Sequence, residues 1–296
     1  MQSVSEKLIP KDFGYAGRFF AMASPCECLV ESTERKIANR VMHLVSHEAW
    51  RIEKKYSRYL SDSVTQKINQ SNGAAVSVDE ETQSLLNFSD QCFQMSDGLF
   101  DITSGVLRRI WTFKPDAAFP TSEQVKELLP LVDWKKVNFS GSTITLPKNM
   151  EIDLGGIGKE YAVDRAASIL QKEFPELSVV INFGGDLRIT SAPKSRKSWV
   201  IGVESYLPGV KRGIDLTVGA VCTSGDTERF IMHEGNRFSH ILNPKTGYPV
   251  AGAPKTVTVI ADNCTQAGLL ATLASLQGSD AEAFLQKQGV KYFCQR

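Results

Sequence analysis

The stretch from Glu151 to Asp164 combines residue types that can bind an anion. It reads EIDLGGIGKEYAVD, so a short apolar run with one acid leads into a glycine-rich turn and then a lysine, Lys159. The glycines of this turn are Gly155, Gly156 and Gly158. Small residues let backbone N–H groups approach a ligand, and the start of a helix favours negative charge. On the residues alone, a phosphate-binding turn and an ordinary tight turn both stay open.

Two common nucleotide-binding patterns do not fit this stretch. GGIG lacks the spacing of the dinucleotide fingerprint G-x-G-x-x-G, and Lys159 is followed by Glu160 rather than by the Ser or Thr of a P-loop. Apolar residues nevertheless recur at helical spacing after the turn, at Ala162, Ala166, Ile169 and Leu170. This periodicity predicts a helix that begins at the turn.

Further small polar loops follow predicted strands elsewhere in the chain. They lie at Ala23–Pro25, Gly184–Asp186 and Thr223–Asp226. Binding residues often lie on loops that a rigid sheet holds at the ends of its strands. Together with the glycine-rich turn, these loops indicate a nucleotide-binding protein.

The composition indicates a soluble globular protein. The chain has 296 residues, 42% of them hydrophobic and 23% charged, which suits one large domain or two of ordinary size. A net charge of +1 gives no reason to expect nucleic acid or an anionic membrane as a partner. The six cysteines match no zinc or disulfide framework, so we expect reduced thiols.

The N-terminal sequence bears on the compartment. It has charges and a proline where a signal peptide needs an apolar core, and no apolar run in the chain is long enough to span a membrane. The sequence as given has neither a signal peptide nor a lipobox, and it therefore predicts a cytoplasmic protein. A periplasmic protein whose leader had been removed would give the same pattern.

Periodicity and turn signals predict one compact α/β body in which helices flank a mixed sheet. We expect an N-terminal extension at 1–16 and a single domain at 17–296. The predicted elements include a hairpin at Arg18–Glu31, a long helix from Glu34 to Tyr59, a strand at Thr256–Ala261 and a helix at Thr265–Leu276. Capping boxes are predicted at Ser77–Glu80 and Thr121–Gln124.

Two features around the long helix have more than one interpretation. His43 and His47 are one turn apart, a spacing that can hold a metal. The pattern is not H-E-x-x-H and the sequence shows no third ligand, so a structural role is favoured. After the helix, the polar segment Ser57–Gly73 carries Tyr59. This segment is either a surface loop or a ligand loop whose aromatic ring stacks on a base.

The order of these loops resembles that of the ApbE family, the FAD:protein FMN transferases. The similarity covers nearly the whole chain and rests on eight motifs that occur in register. They are MASP at 22–25, SRY at 57–59 with the D-S and I-N pairs that follow, DGLFD at 97–101 with Gly105, Leu107 and Trp111, DLGGIGKEYAVD at 153–164, NFGGD at 182–186, TSGD at 223–226, SHILNPKTG at 239–247 and AT at 271–272.

The family resemblance implies a reaction. The protein would bind FAD and a divalent metal, usually Mg²⁺, and a threonine hydroxyl of a partner flavoprotein would attack the phosphorus on the FMN side. The products would be an FMN–threonine phosphoester and AMP. Some relatives instead hydrolyse FAD to FMN and AMP with water as the nucleophile. Phosphoryl transfer depends mainly on charge neutralisation and alignment, which the residues of the turn can supply.

The resemblance also implies roles for individual residues. Tyr59 would lie near the adenine, Met22 and Phe100 along the flavin, and the backbones of 155–158 and 223–225 against the pyrophosphate. Lys159 would neutralise charge, and His240 is the expected general base or orienting group, with a structural histidine as the alternative. The implied cofactor-binding residues are Met22, Tyr59, Phe100, Asp101, Gly155, Gly156, Gly158, Lys159, Thr223, Ser224, Gly225 and His240.

One departure from the family pattern concerns the metal. The usual motif Ala-Asp-Ala-x-Ala-Thr reads AGLLAT at 267–272, so Gly268 replaces the metal-binding aspartate. The ligands that remain by resemblance are the Gly156 carbonyl and the Thr272 hydroxyl, neutral oxygens that hold a hard cation more weakly. The two candidate substitutes for the missing acid are Asp262 and Glu160, which replaces the family's usual glycine and could instead repel a phosphate.

The departure leaves two hypotheses about activity. One is a transferase with a rearranged metal site, which we favour because the ligand-contacting loops and His240 are retained. The other is a relative that binds or hydrolyses FAD with a degenerate metal site. No stretch of the chain looks like the family's acceptor pattern, an Asp followed by Ser/Thr-Gly-Ala-Thr, so self-modification is not expected.

Overall fold

The computed structural model describes residues 6–114, 117–203, 212–225 and 229–296. Its strands are β1 (Lys7–Lys11), β2 (Gly14–Ala21), β3 (Ser24–Val30), β4 (Ala75–Ser77), β5 (Asn138–Ser140), β6 (Thr143–Thr145), β7 (Val179–Phe183), β8 (Asp186–Ile189), β9 (Trp199–Val203), β10 (Arg212–Leu216), β11 (Gly219–Gly225), β12 (Phe230–His233), β13 (Asn236–Ser239), β14 (Thr256–Ala261) and β15 (Lys291–Gln295). Its α-helices are α1 (Arg35–Tyr56), α2 (Val64–Asn69), α3 (Glu80–Met95), α4 (Ser122–Leu128), α5 (Gly158–Glu173), α6 (Cys264–Leu276) and α7 (Ala281–Gln288). Short 3-10 helices lie at Ile102–Arg109, Leu129–Leu131, Trp134–Lys136 and Gly278–Asp280.

Eight of the strands form the central sheet, in the order β1-β2-β3-β7-β8-β11-β14-β15. Every neighbouring pair is antiparallel, so the sheet that was expected to be mixed runs antiparallel throughout. β1 pairs along its whole length with β2, from Lys7 opposite Arg18 to Lys11 opposite Gly14. The segment expected to be an extension therefore contributes an edge strand to this sheet. The predicted fold class, a mixed body of helices around a sheet, is confirmed.

Three helices, α1, α5 and α6, cover one face of the sheet. The middle helix, α5, contacts both of the others. Its buried face is built from small side chains such as Ala162 and Ala166, and α6 presents Ala267 and Ala271 to the same core. Small side chains allow close approach of helix backbones, so the start of α5 is held near α6.

Two smaller apolar clusters complete the body. On the other face of the sheet, Trp199 and Ile201 of the β9–β10 hairpin pack on Val180, Leu187 and Ile189. A separate Trp111 cluster consists of Val106, Leu107, Trp111 and Ile231, with partly buried neighbours from the β12–β13 hairpin. The Trp111 indole N–H donates a hydrogen bond of 2.8 Å to the carbonyl oxygen of Gly247. This bond joins two of the sequence motifs in a structural contact.

Most predicted elements are confirmed. The β2–β3 hairpin lies within Arg18–Glu31 apart from the start of β2, and β14 has the predicted bounds. The capping box at Thr121–Gln124 is present in full at the start of α4. These elements are determined by local pattern, which explains why the sequence was sufficient for them.

Two predictions about local structure are wrong. The helix α3 is capped by Asp79 rather than by Ser77, because Asp79 Oδ1 accepts the Thr82 N–H at 3.0 Å while Ser77 ends β4. Thr223, Ser224 and Gly225 form the end of β11, where pairing with β14 continues to Gly225, and they are not a loop that follows the strand. Asp226, the last residue of that motif, lies outside the described residues.

Two features can be compared with the sequence: the length of the apolar helices and the state of the cysteines. No helix in the described ranges is both long and apolar enough to cross a bilayer. All six cysteines are free, as expected from the sequence. Burial raises the pKa of the Cys26 and Cys28 thiols to about 12, so both stay protonated at neutral pH.

We expect Asp79→Ala to lower the free energy of unfolding by about 1 to 2 kcal/mol, because the first turn of α3 loses its side-chain cap. The matched control is Ser77→Ala, which removes an exposed hydroxyl two residues away and should change stability by less than about 0.5 kcal/mol. Urea denaturation of both variants checks the assignment. Equal losses in the two variants would contradict it.

Candidate functional site

The glycine-rich stretch forms a tight turn that leads directly into α5. The Ile157 and Gly158 N–H groups both donate to the Leu154 carbonyl oxygen, at 3.0 and 2.7 Å, and the Gly155 N–H donates to Asp153 Oδ1 at 2.9 Å. Ile157, the N-cap residue of α5, makes no side-chain cap. Because no side chain caps this helix start, its positive end is available to an anion.

Lys159, which is partly buried, forms an ion pair with the buried Asp186 beside this turn. The Lys159 ammonium lies 2.8 Å from Asp186 Oδ2 and donates to the Gly184 carbonyl oxygen at 3.3 Å. Burial by itself lowers the pKa of Lys159, but attraction to the Asp186 carboxylate raises it overall. Lys159 therefore keeps its charge and is held over the β7–β8 turn.

The turn between β2 and β3 packs against the β7–β8 turn. Its two central residues, Met22 and Ala23, have φ angles of 51° and 56°, which few residues other than glycine adopt. The Gly184 N–H donates to the Pro25 carbonyl oxygen at 3.1 Å, and a Cβ atom on Gly184 would lie 2.6 Å from Ser24 Cβ. The structure thus brings Met22, Gly184 and Lys159 into one region.

The polar loop after α1 is tied to the glycine-rich stretch by two contacts. The Arg58 guanidinium forms an ion pair with Asp153 and donates to the Tyr59 hydroxyl at 2.7 Å. The Asn69 side-chain amide makes two hydrogen bonds with the backbone of Ile152. It donates to the carbonyl oxygen at 3.0 Å and accepts from the N–H at 2.8 Å. Tyr59 itself is 74% exposed, so its ring is open to a stacking partner.

Glu160 occupies the space that a side chain at Gly268 would need. A Cβ atom on Gly268 would lie 2.5 Å from Glu160 Cγ and 2.6 Å from Glu160 Oε1. Glu160 is buried, and its Oε2 has no hydrogen-bond partner among the described residues. Burial, together with the nearby Asp186 charge, raises the pKa of Glu160 to about 8. An unsatisfied carboxylate oxygen at this position is the kind of group that a hard cation would satisfy.

The other predicted metal ligands lie on the turn and on α6. Thr272 is one helical turn after Gly268, so the two positions share a face of α6. Gly156 is in the turn, where a Cβ atom would lie 3.2 Å from the Phe100 ring. Asp262 is exposed and precedes Asn263, the N-cap of α6. Of the two candidate acids, Glu160 is therefore the one placed beside Gly268.

Asp164 fixes the position of α6 relative to α5. Its carboxylate accepts the N–H groups of Cys264 at 3.0 Å and Thr265 at 2.8 Å, and it pairs with Arg188 at 2.7 Å. Since Glu160 lies one turn before Asp164 on α5, this cap also sets the position of Glu160 opposite Gly268. The sequence shows Asp164 only as part of a motif and gives no sign of its partner.

The end of β11 lies beside the ion pair of Lys159 and Asp186. The register pairs Val221 with Leu187, which places the next residues of β11 alongside Asp186. The Thr223 hydroxyl lies 2.8 Å from that of Thr258, and the Ser275 hydroxyl donates to Ser224 at 3.4 Å. The second contact ties the strand end to the last turn of α6.

Phe100 and Asp101 have mainly structural contacts. Phe100 is 6% exposed and lies beneath the Gly156 turn. Asp101 accepts the Thr103 N–H at 2.8 Å and the Trp134 N–H at 3.0 Å, and burial raises the pKa of its carboxyl group. The described contacts make Asp101 a cap of the 3-10 helix that follows it, while its expected contact with the cofactor stays a prediction.

His240 follows β13 on the side of the Trp111 cluster. Its backbone N–H donates to the Arg229 carbonyl oxygen at 3.2 Å, and its ring lies edge-on to that of Phe113, with 6.2 Å between ring centroids. The following loop is joined to the 93–101 region by an ion pair of 3.1 Å between Lys245 and Asp97. His240 thus follows β13 near the Trp111 cluster, whereas Lys159 lies in the first turn of α5.

The arrangement has the charges and groups of a phosphate ester site. It combines an ammonium group, an uncapped helix start, a buried unsatisfied carboxylate and an exposed aromatic ring. Arg58 and Asp164 are two positioning residues that sequence reasoning did not single out, because their partners are distant in the chain.

Comparison with known proteins identifies the family of the chain. A profile of the ApbE family matches residues 22–294. A protein of Vibrio cholerae named FAD:protein FMN transferase is 28% identical over 235 residues, which are 76% of this chain and 69% of that protein. One of Klebsiella pneumoniae with the same name is 27% identical over 260 residues, covering 85% of this chain and 79% of the relative.

Solved structures show the same architecture. The ApbE protein of Thermotoga maritima superposes with a TM-score of 0.86 at 31% identity, covering 98% of this chain and 94% of its own. The apo flavinyl transferase ApbE of Pseudomonas stutzeri superposes with a TM-score of 0.84 at 23% identity, over 99% and 92% of the two chains, and shows the fold. The chain therefore belongs to the ApbE family.

Proposed function

We propose that the chain is an FAD:protein FMN transferase, which moves FMN from FAD to a threonine hydroxyl of a partner flavoprotein and releases AMP. The observation that carries the proposal is the position of Lys159. Its ammonium lies 3.3 Å from the Gly184 carbonyl oxygen, beside the uncapped start of α5. A fixed positive charge next to a helix N-terminus suits a pyrophosphate. Family membership supports the same class of enzyme, a transferase.

In this proposal FAD spans the region between the polar loop and the β2–β3 turn. The pyrophosphate contacts the backbones of 155–158 and 223–225, and the adenine stacks on Tyr59. The flavin lies along Met22, with Phe100 supporting the Gly156 turn from below. The exposure of the Tyr59 ring supports its role, because a stacking surface must be open to the ligand.

The transfer breaks one phosphorus–oxygen bond and forms another. The threonine oxygen bonds to the phosphorus on the FMN side, and AMP leaves with the bridging oxygen of the pyrophosphate. His240, in its neutral form, takes the proton of the attacking hydroxyl. Lys159 neutralises negative charge on the phosphate oxygens as the bond to AMP breaks.

We further propose that Glu160 replaces the missing aspartate of the metal site. With the Gly156 carbonyl and the Thr272 hydroxyl it gives an oxygen ligand set with one negative charge, which suits Mg²⁺. When bound, the metal would supply positive charge at the pyrophosphate oxygens. The unsatisfied Oε2 of Glu160 and its contact with the Gly268 position support this exchange.

The alternative is a relative that binds or hydrolyses FAD with a degenerate metal site. The glycine at position 268 favours this alternative, since it removes a ligand. The buried carboxylate of Glu160 favours the transferase, because it restores a negative charge at the same place. A cytoplasmic location and the lack of a nucleic acid partner stay predictions from the sequence.

Incubation with FAD, Mg²⁺ and a threonine-containing acceptor flavoprotein should add one FMN mass to the acceptor and release an equal amount of AMP. Lys159→Met should lower kcat/KM by about 100-fold or more, because it removes the charge at the transferring phosphate. The matched control is Lys194→Met, which removes an exposed lysine paired with Glu176 and should leave kcat/KM unchanged.

Mass spectrometry of the acceptor and chromatography of the nucleotides separate the alternatives. AMP release that does not require an acceptor would identify an FAD hydrolase instead. Tightly bound FAD without any AMP, insensitive to chelators, would identify a binding protein.

Glu160→Gln should weaken Mg²⁺ or Mn²⁺ binding by more than about tenfold, because it removes the charged ligand at nearly constant volume. Gly268→Asp alone should lower the free energy of unfolding by about 1 to 3 kcal/mol, because its side chain overlaps Glu160. The double variant Glu160→Gly/Gly268→Asp should recover both stability and metal affinity.

Calorimetric metal titration and urea denaturation give both quantities without any measurement of activity. Metal affinity that is unchanged in Glu160→Gln would rule out the exchange while leaving the transferase proposal to its own assay. Destabilisation that persists in the double variant would show that the overlap with Glu160 is not its cause.

A further inference from the structure

We propose that Glu6, His43 and His47 form a second metal site, for a borderline transition cation such as Zn²⁺. The site lies on the exposed side of α1 and is separate from the proposed flavin site. It is independent of the transferase proposal. The sequence showed only the two histidines, and the structure adds the third ligand.

The two histidines are held on one face of a rigid helix. α1 is 22 residues long and buries its opposite face, including Val41, Val45 and Ala49, in the main core. His43 and His47 are one turn apart, and the centroids of their rings are 3.8 Å apart. His47 also lies edge-on to the Trp50 ring at 5.4 Å, which restricts the orientation of its imidazole.

The third ligand comes from a distant part of the chain. Glu6 immediately precedes β1, which pairs with β2, and β2 packs against α1. Glu6 Oε1 lies 3.8 Å from His43 Nδ1. The same carboxylate accepts a hydrogen bond from the hydroxyl of Ser46, a buried residue between the two histidines. Ser46 thereby orients the carboxylate toward the imidazoles, as partners of metal ligands commonly do.

The distances suit a metal after small side-chain rotations. One ligand atom from each of Glu6, His43 and His47 lies within 4.8 Å of the other two. Tetrahedral zinc with bonds of about 2.0 to 2.1 Å needs ligand atoms about 3.4 Å apart. The His43 side chain is 51% exposed and that of Glu6 is 24% exposed, so both can move inward without disturbing the core.

The ligand types select the class of metal. Two imidazole nitrogens and one carboxylate favour Zn²⁺, Co²⁺ or Ni²⁺ over Mg²⁺, which prefers oxygen ligands in octahedral geometry. Three protein ligands on one side of the ion leave a fourth position for water or another donor. Because Glu6 and the histidines belong to different segments, binding would also fasten Glu6 and the adjoining start of β1 to α1 and stabilise the folded chain.

The test uses protein without affinity histidines, stripped with a chelator and titrated with Zn²⁺ by calorimetry. We expect one ion per chain with a dissociation constant of about 1 µM. His43→Gln and Glu6→Gln should each weaken binding by at least about tenfold, because each removes one ligand. The control is His233→Gln, a histidine stacked on Phe119 away from α1, which should bind as the unmodified protein does.

Two further measurements sharpen the outcome. Co²⁺ should give a visible d–d spectrum typical of mixed nitrogen and oxygen ligands, and His43→Gln should abolish it. Zn²⁺ should raise the melting temperature of the unmodified protein and not that of His43→Gln. Binding that is equal in His43→Gln and His233→Gln, or no saturable binding at about 0.1 mM Zn²⁺, would overturn the proposal. Mg²⁺-dependent transfer should be unchanged in His43→Gln, which separates this site from the first.

Discussion

The carboxylate of Asp164 holds the first turn of α6 against α5, and the rest of the candidate site depends on this contact. It accepts two N–H groups at the start of α6 and is paired with Arg188. Hydrogen bonds to a charged group contribute about 1.5 to 3 kcal/mol each, more than those between neutral groups. The alanines that α5 and α6 bury then allow the two helices to approach closely. This approach places Glu160 beside Gly268.

Charge in this region is balanced over a short distance. Lys159 is paired with Asp186, while Glu160 is buried next to both and has an oxygen without a partner. Burying an uncompensated carboxylate is costly, so the protein either keeps it protonated or pairs it with a cation. The elevated pKa of Glu160 favours its protonated, neutral form. The proposed metal would instead pair the charged carboxylate with a cation. Glu160 can thus stay buried as a neutral acid without the metal and serve as a charged ligand when the metal binds.

The sequence predicted those parts of the fold that local pattern determines. Periodicity located α6 and β14, and turn residues located the β2–β3 hairpin. It failed where the local pattern left two candidates open and where the deciding partner is distant. The cap of α3 depends on which of two nearby acceptors meets Thr82, and the end of β11 depends on pairing with β14. Position 268 and Glu160 are about a hundred residues apart, so only the folded chain shows that they compete for one space.

That competition constrains the order in which such a pair can be substituted. A chain with an acid at both positions must accommodate two carboxylates in the volume of one, and a chain with glycine at both has no charge there. Either intermediate is at a disadvantage, in stability or in metal binding. The two positions therefore behave as one unit of variation, and in this chain the single acid of that unit lies on α5.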